Sequence, residues 1–411
     1  MTVSDPEEVT RPRGVGAMLV AGALAANNVA AYLLTLVAAR LLLPEAFGEL
    51  GSLLAILVVG AVPALGLQTV VALRVAKEDH QSRRPPGPLV ALGFGTALTI
   101  TVVGLLSTPL FVWLLHLDTP APVLLLAAAL CPITLLGLFY GTLQGTERFG
   151  AMARLLVTEA FGRIGGTLIG LMITKTSTGA LAGTAIGATL VATIGWLICA
   201  RPRPARLDLA HVRDVLHASQ ALLALILLVN LDLVLARHTL PEAAAGEYAI
   251  GAVVTKIAYW LPFAIAVVVL PKMTTDEARR KVMPVALAFC ATLNALVIAG
   301  AALFGELGVK IIGGPKYVDS AIPLWPFALV GSCLSLIQIL LFSRIASADR
   351  GSTVLMWVAV AIEITLVLTV LNGSLTNVVT AAVIATGTLV LAGAVVEARD
   401  HRKAPTTTAL L

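Results

Sequence analysis

Glu159 and Arg163 lie four residues apart in a run that is otherwise dominated by Ala, Leu, Gly and Ile. On a helix that spacing puts both side chains on one face. They suit an internal ion pair; alternatively Arg163, with Arg154 nearer the start of the same run, presents guanidinium forks to phosphate oxygens. In a second apolar run Asp232 follows Asn230 by two residues, and Arg237, five residues on, falls off its face. Asp232 reads as a site for a proton or monovalent cation, as a partner of Lys256, or as a helix-packing charge. Lys256 and Glu363 are lone charges in two further runs, and Asn27 and Asn28 sit deep in the first. Ionisable groups in hydrocarbon are costly and are functional candidates for that reason. Amides there bond across helices or face a wet cavity. Arg163, Arg154, Lys256, Asn27 and Asn28 are therefore the candidates for a polar cargo, and Asp232, Glu159 and Glu363 those for coupling or charge pairing. Cys131, Cys199, Cys290 and Cys333 are scattered, with no CxxC spacing, so neither a metal nor a cofactor is expected. No serine, cysteine or paired-carboxylate constellation points to catalysis.

The elements that hold these residues must be membrane spans. Of 411 residues 58% are hydrophobic and 12% charged, with mean hydropathy +0.95. A soluble domain carries about 25% charged residues. Disorder, a disulfide-stapled secreted domain and an ordinary cytosolic enzyme are excluded. The net charge of +5 needs no nucleic acid to explain it, because cytoplasmic loops of membrane proteins collect Lys and Arg.

A span needs about 20 apolar residues. Twelve runs qualify: 15–39, 50–73, 88–112, 121–143, 153–173, 179–199, 216–236, 247–270, 283–304, 321–342, 353–371 and 376–396. Isolated strands cannot cross lipid with unpaired backbone groups, so all are read as helices. Alternate loops collect 21 of the 28 basic residues, which places both termini in the cytoplasm. The expected organisation is a six-helix bundle over 1–200, a cytoplasmic linker over 201–215, a second bundle over 216–397 and a cytoplasmic tail over 398–411. The segment Ala205–Leu216 alternates charged and apolar residues, as a short interfacial helix would.

The two halves repeat. Ala39-Arg40-Leu41-Leu42-Leu43-Pro44-Glu45-Ala46 is followed by Gly48-Glu49, and Ala236-Arg237-His238-Thr239-Leu240-Pro241-Glu242-Ala243 by Gly246-Glu247. Six spans separate the copies, so the halves are parallel repeats. Each Arg ends a span, each Pro opens the next helix where its missing N–H costs nothing, and each Glu suits the positive helix N-terminus. The expected architecture is an all-α polytopic membrane protein, with twelve transmembrane helices in two parallel-repeat six-helix bundles around a central cavity. Pro63 and Pro262 fall at similar depths and are candidates for kinks.

The segments Arg40–Gly48, Gly66-Leu67-Gln68-Thr69, Gly141–Gly150, Asn230–Arg237 with Ala245–Tyr248, Leu261-Pro262 and Leu270–Met273 resemble elements of polysaccharide-export flippases. These form the Wzx-like branch of the multidrug/oligosaccharidyl-lipid/polysaccharide (MOP) superfamily. The resemblance spans nearly the whole chain in order. It implies alternating access and transfer of an isoprenoid-pyrophosphate-linked oligosaccharide across a bacterial cytoplasmic membrane for cell-surface polysaccharide synthesis. The implied partners are the lipid-linked oligosaccharide, a proton or monovalent cation, and the polysaccharide polymerase and export machinery. Two other readings stand beside it: a cation-coupled multidrug exporter of the same superfamily, and a membrane-embedded glycan polymerase or ligase. Short loops between the spans weigh against the last.

Overall fold

The computed structural model describes residues 13–77, 84–206, 209–260, 276–317, 320–345 and 350–403. Those residues form helices joined by short turns. In the first half these are α1 (Arg13–Leu41), α2 (Pro44–Gly60), α3 (Val62–Lys77), α4 (Gly87–Leu106), α5 (Thr108–Leu114), α6 (Ala121–Gly145), α7 (Phe149–Glu159), α8 (Gly165–Thr174) and α9 (Ser177–Ile198). In the second they are α10 (Leu209–Thr239), α11 (Glu242–Trp260), α12 (Asp276–Leu303), α13 (Gly305–Gly313), α14 (Leu324–Ile345), α15 (Arg350–Thr369) and α16 (Leu375–Lys403).

The chain is all-α and multi-pass, but the expectation of twelve spans in two six-helix bundles is overturned. Among the described residues eight helices are long and apolar enough to cross a membrane, nine if one bent pair counts as a single span. The shortfall lies in the second half. Leu324–Leu340 and Thr353–Thr369 are apolar but short, and Leu287–Leu303 turns by 85° into Gly305–Tyr317. The helix Glu242–Trp260 carries Glu242, Glu247 and Lys256, which lower its hydropathy. The largest cluster of buried apolar side chains reaches across both halves, from Ala38, Phe47 and Leu50 through Leu228 and Tyr248 to Val378 and Leu389. Separate clusters around Leu67 and Phe139 and around Leu53 and Leu126 lie mainly in the first half.

Local signals explain most boundaries. Pro44 opens α2 with Glu45 in its first turn, and Glu242 stands in the first turn of α11. The 50–73 run divides at Ala61, with Pro63 in the first turn of α3; its counterpart Pro262 lies outside the described residues, as do Leu270–Met273. The 88–112 run breaks at Ser107 before Pro109, giving α4 and the short α5. Among the described residues no separate interfacial helix follows Ala205: α10 starts at Leu209 and runs unbroken to Thr239. Between α7 and α8 the chain takes a π-helical turn, Ala160–Ile164.

The end of the molecule carrying Arg40–Pro44 and Arg237–Pro241, here the corner face, is sealed by the two repeat copies themselves. Helices α2 and α11 cross where Gly48 meets Gly246. A Cβ on Gly246 would collide with the carbonyl of Pro44, and one on Gly48 would lie 2.8 Å from the amide nitrogen of Gly246. The glycines thus serve a backbone-to-backbone crossing. The repeated arginines reach across the same seam. Arg40 donates to the carbonyl of Ile311 at 2.8 Å, and Arg237 donates through Nε to that of Leu115 at 3.0 Å. Each arginine therefore holds the chain around the short helix, α13 or α5, of the opposite half. At the other end α3 packs on α10, where Gly66 leaves room for Ser219 and Arg74 pairs with Asp214.

Candidate functional site

A cavity of about 440 Å³ lies between α1, α2, α3, α6 and α7, with Ile226 of α10 also on its wall. Its wall is mostly apolar, with Asn27, Gln68, Tyr140, Glu159 and Arg163 as its polar groups. Glu159 ends α7 and Arg163 sits in the π-helical turn that follows. Arg163 donates through Nε to Glu159 Oε1 at 2.9 Å, and the Tyr140 hydroxyl donates to Glu159 Oε2 at 2.7 Å. Both carboxylate oxygens are thereby satisfied, as a charge in so apolar a wall requires. On the cavity rim Gln68 Nε2 donates to Gln144 Oε1 at 3.0 Å. That bond joins two of the sequence segments that carry the flippase resemblance. Asn27 Oδ1 is buried with no partner.

Close helix contact holds this wall in place. Gly162, Gly166 and Gly170 face Gly187, Gly183 and Gly179 of α9, and a Cβ on Gly183 would collide with the carbonyl of Gly166. The buried hydroxyls of Thr167 and Thr184 meet at 2.7 Å beside that contact. Small residues let backbones approach where lipid supplies no hydrophobic drive.

A second polar group sits in the other half. Asp232 of α10 is buried; its Oδ2 accepts from the Tyr248 hydroxyl at 3.0 Å and its Oδ1 from the Leu233 amide at 2.8 Å. Glu363 of α15 is fully buried, and neither of its oxygens has a hydrogen-bond partner. Asp232 lies within electrostatic range of both Glu363 and Lys256. No salt bridge joins Asp232 to Lys256 among the described residues. Lys256 instead borders a cavity of about 60 Å³ shared with Tyr32 and Thr35.

The eight sequence candidates therefore separate. Asn27, Glu159 and Arg163 line the large cavity; Asp232 and Glu363 are the buried carboxyls of the second half; Lys256 borders the small cavity. Arg154 is directed away, donating to the carbonyl of Gly150 one turn earlier, and Asn28 is half-buried outside both cavity walls. Asn294 bridges helices, donating to Ser335 Oγ at 2.8 Å. Tyr140 and Tyr248 were not among the candidates. A tyrosine in an apolar run looks like core, and the carboxylate it serves is 19 residues away in one case and 16 in the other. Among the described residues no three His, Cys, Asp or Glu side chains converge as metal ligands.

Searches of family models and of curated proteins return no match. Solved structures do match. An inward-facing multidrug-resistance MATE transporter of the MOP superfamily aligns over 91% of this chain and 96% of its own, with TM-score 0.68 and 13% identity. The lipid II flippase MurJ in an inward closed conformation aligns over 93% and 87%, with TM-score 0.69 and 13% identity. An outward-facing MATE transporter aligns over 95% of both chains, with TM-score 0.52 and 12% identity. These are described as multidrug transporters and a lipid II flippase, and none of the three as a polysaccharide-export flippase. At such identities the likeness concerns the fold alone.

Proposed function

We propose that this protein is an alternating-access exporter of small amphipathic molecules, coupled to a proton or monovalent cation. The observation that carries the reading is the pairing of Arg163 with Glu159 inside the cavity of about 440 Å³. Ligand cavities for small molecules run to about 300–1,000 Å³. The one cation on the described wall is neutralised by its neighbour, so a pyrophosphate would meet no free positive charge there. A neutral or cationic amphiphile would meet apolar side chains, the Tyr140 ring and the Glu159 carboxylate. The coupling ion would be taken by Glu363, whose buried carboxyl oxygens have no donor and so suit a proton or a bare cation, with Asp232 near it. In this reading residues 1–200 and 216–397 move against each other, and residues 201–215 link them. The Lys and Arg asymmetry supports a plasma-membrane orientation with both termini cytoplasmic and the corner face outside.

The experiment is efflux of tetraphenylphosphonium from proteoliposomes under an imposed proton or sodium gradient. Gradient-driven transport that falls at least about ten-fold in Glu363→Gln and in Glu159→Gln is expected. Absence of transport under either gradient would sink the reading.

The fold shared with a lipid II flippase favours a second reading, translocation of an isoprenoid-pyrophosphate-linked oligosaccharide to a polymerase and export machinery. There Arg163, Arg154, Lys256, Asn27 and Asn28 would engage the headgroup. Depletion of the protein in its native cell distinguishes the two: assembled lipid-linked precursor trapped facing the cytoplasm would favour the flippase.

A further inference from the structure

The crossing of α2 and α11 sets two carboxylates side by side without giving them a cation. Gly246 lies against the carbonyl of Pro44, so the residues that follow them, Glu247 and Glu45, leave from adjacent backbone. Glu45 stands in the first turn of α2 and has no hydrogen-bond or ion-pair partner among the described residues. Glu247 accepts from Ser320 Oγ at 2.6 Å through Oε1, which leaves Oε2 open. The amide of Ser320 in turn donates to the carbonyl of Tyr317 at 3.2 Å, tying the turn that carries Tyr317 to the same carboxylate. Tyr317 is fully buried, and its hydroxyl has no partner. That phenol lies within electrostatic range of both Glu45 and Glu247. The nearby cations are engaged elsewhere. Arg40 donates to Ile311, and Lys316 to the carbonyls of Arg40, Leu41 and Leu42. The pseudo-symmetric corner satisfies itself: Glu242 takes Arg237, and Glu49 takes the hydroxyl of Ser177.

We propose that Glu45, Glu247 and Tyr317 form a divalent-cation site of calcium-like chemistry that joins the two halves at the corner seam. Two half-buried carboxylates on adjacent backbone repel each other, and one divalent ion cancels both charges. The oxygens are the hard donors such an ion takes: both of Glu45, the open one of Glu247 and the phenol of Tyr317. Water completes a shell of about six to eight. Two acidic ligands are fewer than a tight site carries, so the affinity belongs at about 10⁻⁴–10⁻³ M, the range of weak extracellular sites. Calcium's flexible coordination suits ligands drawn from α2, α11 and the turn after α13 better than the strict octahedron of magnesium. Glu45 belongs to the first half, Glu247 and Tyr317 to the second, so parting the seam dismantles the site. The ion therefore favours the closed corner by mass action. The site stands on the geometry of the corner and does not need the exporter reading.

The test uses the full chain in detergent with Tb³⁺, which takes the place of calcium on oxygen ligands and luminesces when a nearby tyrosine is excited. Tyrosine-sensitised emission is expected, displaced by Ca²⁺ at about 10⁻⁴–10⁻³ M and less readily by Mg²⁺. Glu45→Gln and Glu247→Gln should each weaken displaceable binding at least about ten-fold, and Tyr317→Phe should remove most of the emission. Glu242→Gln, whose carboxylate serves Arg237, is the control and keeps the signal. Thermal unfolding separates a ligand from a merely structural part. Without divalent ions Glu45→Gln should unfold no earlier than the wild type, because it removes repulsion, yet lose the rise in Tm that Ca²⁺ gives. Emission that Ca²⁺ does not displace, that survives Glu45→Gln or Glu247→Gln, or that is unchanged in Tyr317→Phe would overturn the site. So would a Glu45→Gln chain that unfolds early and still gains stability from Ca²⁺.

Discussion

The two corners of the seam are built from one sequence motif and differ in burial. At the first, Arg40 is exposed and donates to Ile311, while Lys316 returns the contact by donating to the carbonyls of Arg40, Leu41 and Leu42. Each half thereby caps the helix end of the other. At the second, Arg237 is buried, shares its guanidinium between Leu115 and Glu242, and leaves Nη1 without a partner. The first corner is a solvated clasp that can re-form easily; the second is desolvated and costly to break. A repeat in sequence therefore fixes where the chain turns but not how strongly each turn is held. Strength is set by what the rest of the fold packs around it.

The largest expected effect is at the glycine crossing, where the two copies also differ. Gly246→Ala drives a Cβ into the Pro44 backbone, which cannot rotate away. Overpacking of that kind costs about 3 kcal/mol. At Gly48 the nearest atom is 2.8 Å away, so Gly48→Ala needs a smaller shift and should cost about 1 kcal/mol. Thermal unfolding in detergent measures both, and equal costs would break the claim that the crossing is asymmetric. Next comes Arg237→Ala, which strips the Leu115 carbonyl of its donor in a buried place and should cost about 2 kcal/mol. If Arg237→Ala proves no worse than Arg40→Ala, burial does not separate the corners.

Much of this was legible beforehand and some was not, for physical reasons. Helical spacing put Glu159 and Arg163 on one face and left an ion pair and a phosphate-facing Arg163 both open. The structure pairs them and adds the π-helical turn and Tyr140 as a second donor. The Pro-Glu helix starts at Pro44 and Glu242 are equally local. What the sequence could not supply was anything set by distance through space. The repeat announced two similar corners, but nothing in it said that Gly48 and Gly246 touch each other. Asp232 had Lys256 as an apparent partner because only charge was visible; the fold brings the Tyr248 hydroxyl to it instead. The twelve-span count failed where composition stands in for geometry. An apolar run over 283–304 gives no hint that its helix turns by 85° just beyond Leu303.

The smallest effects test whether the exposed corner is a clasp at all. Arg40→Ala and Lys316→Ala each remove hydrogen bonds that water can replace, so each should cost under about 1 kcal/mol. They do not share a bond, but they hold the same two segments together: the end of α1, and the last turn of α13 with the turn that follows it. If docking is one event, losing either already loosens it, and the double substitution should cost less than the two singles added. A coupling of about 0.5 kcal/mol is expected from residues in one such network, read as a double-mutant cycle of unfolding free energies at low salt. Strict additivity would mean that the two side chains merely decorate a seam held by Gly48 and Gly246. The motif's first arginine would then be a helix-end residue with no part in closure, while its copy at 237 would still be one.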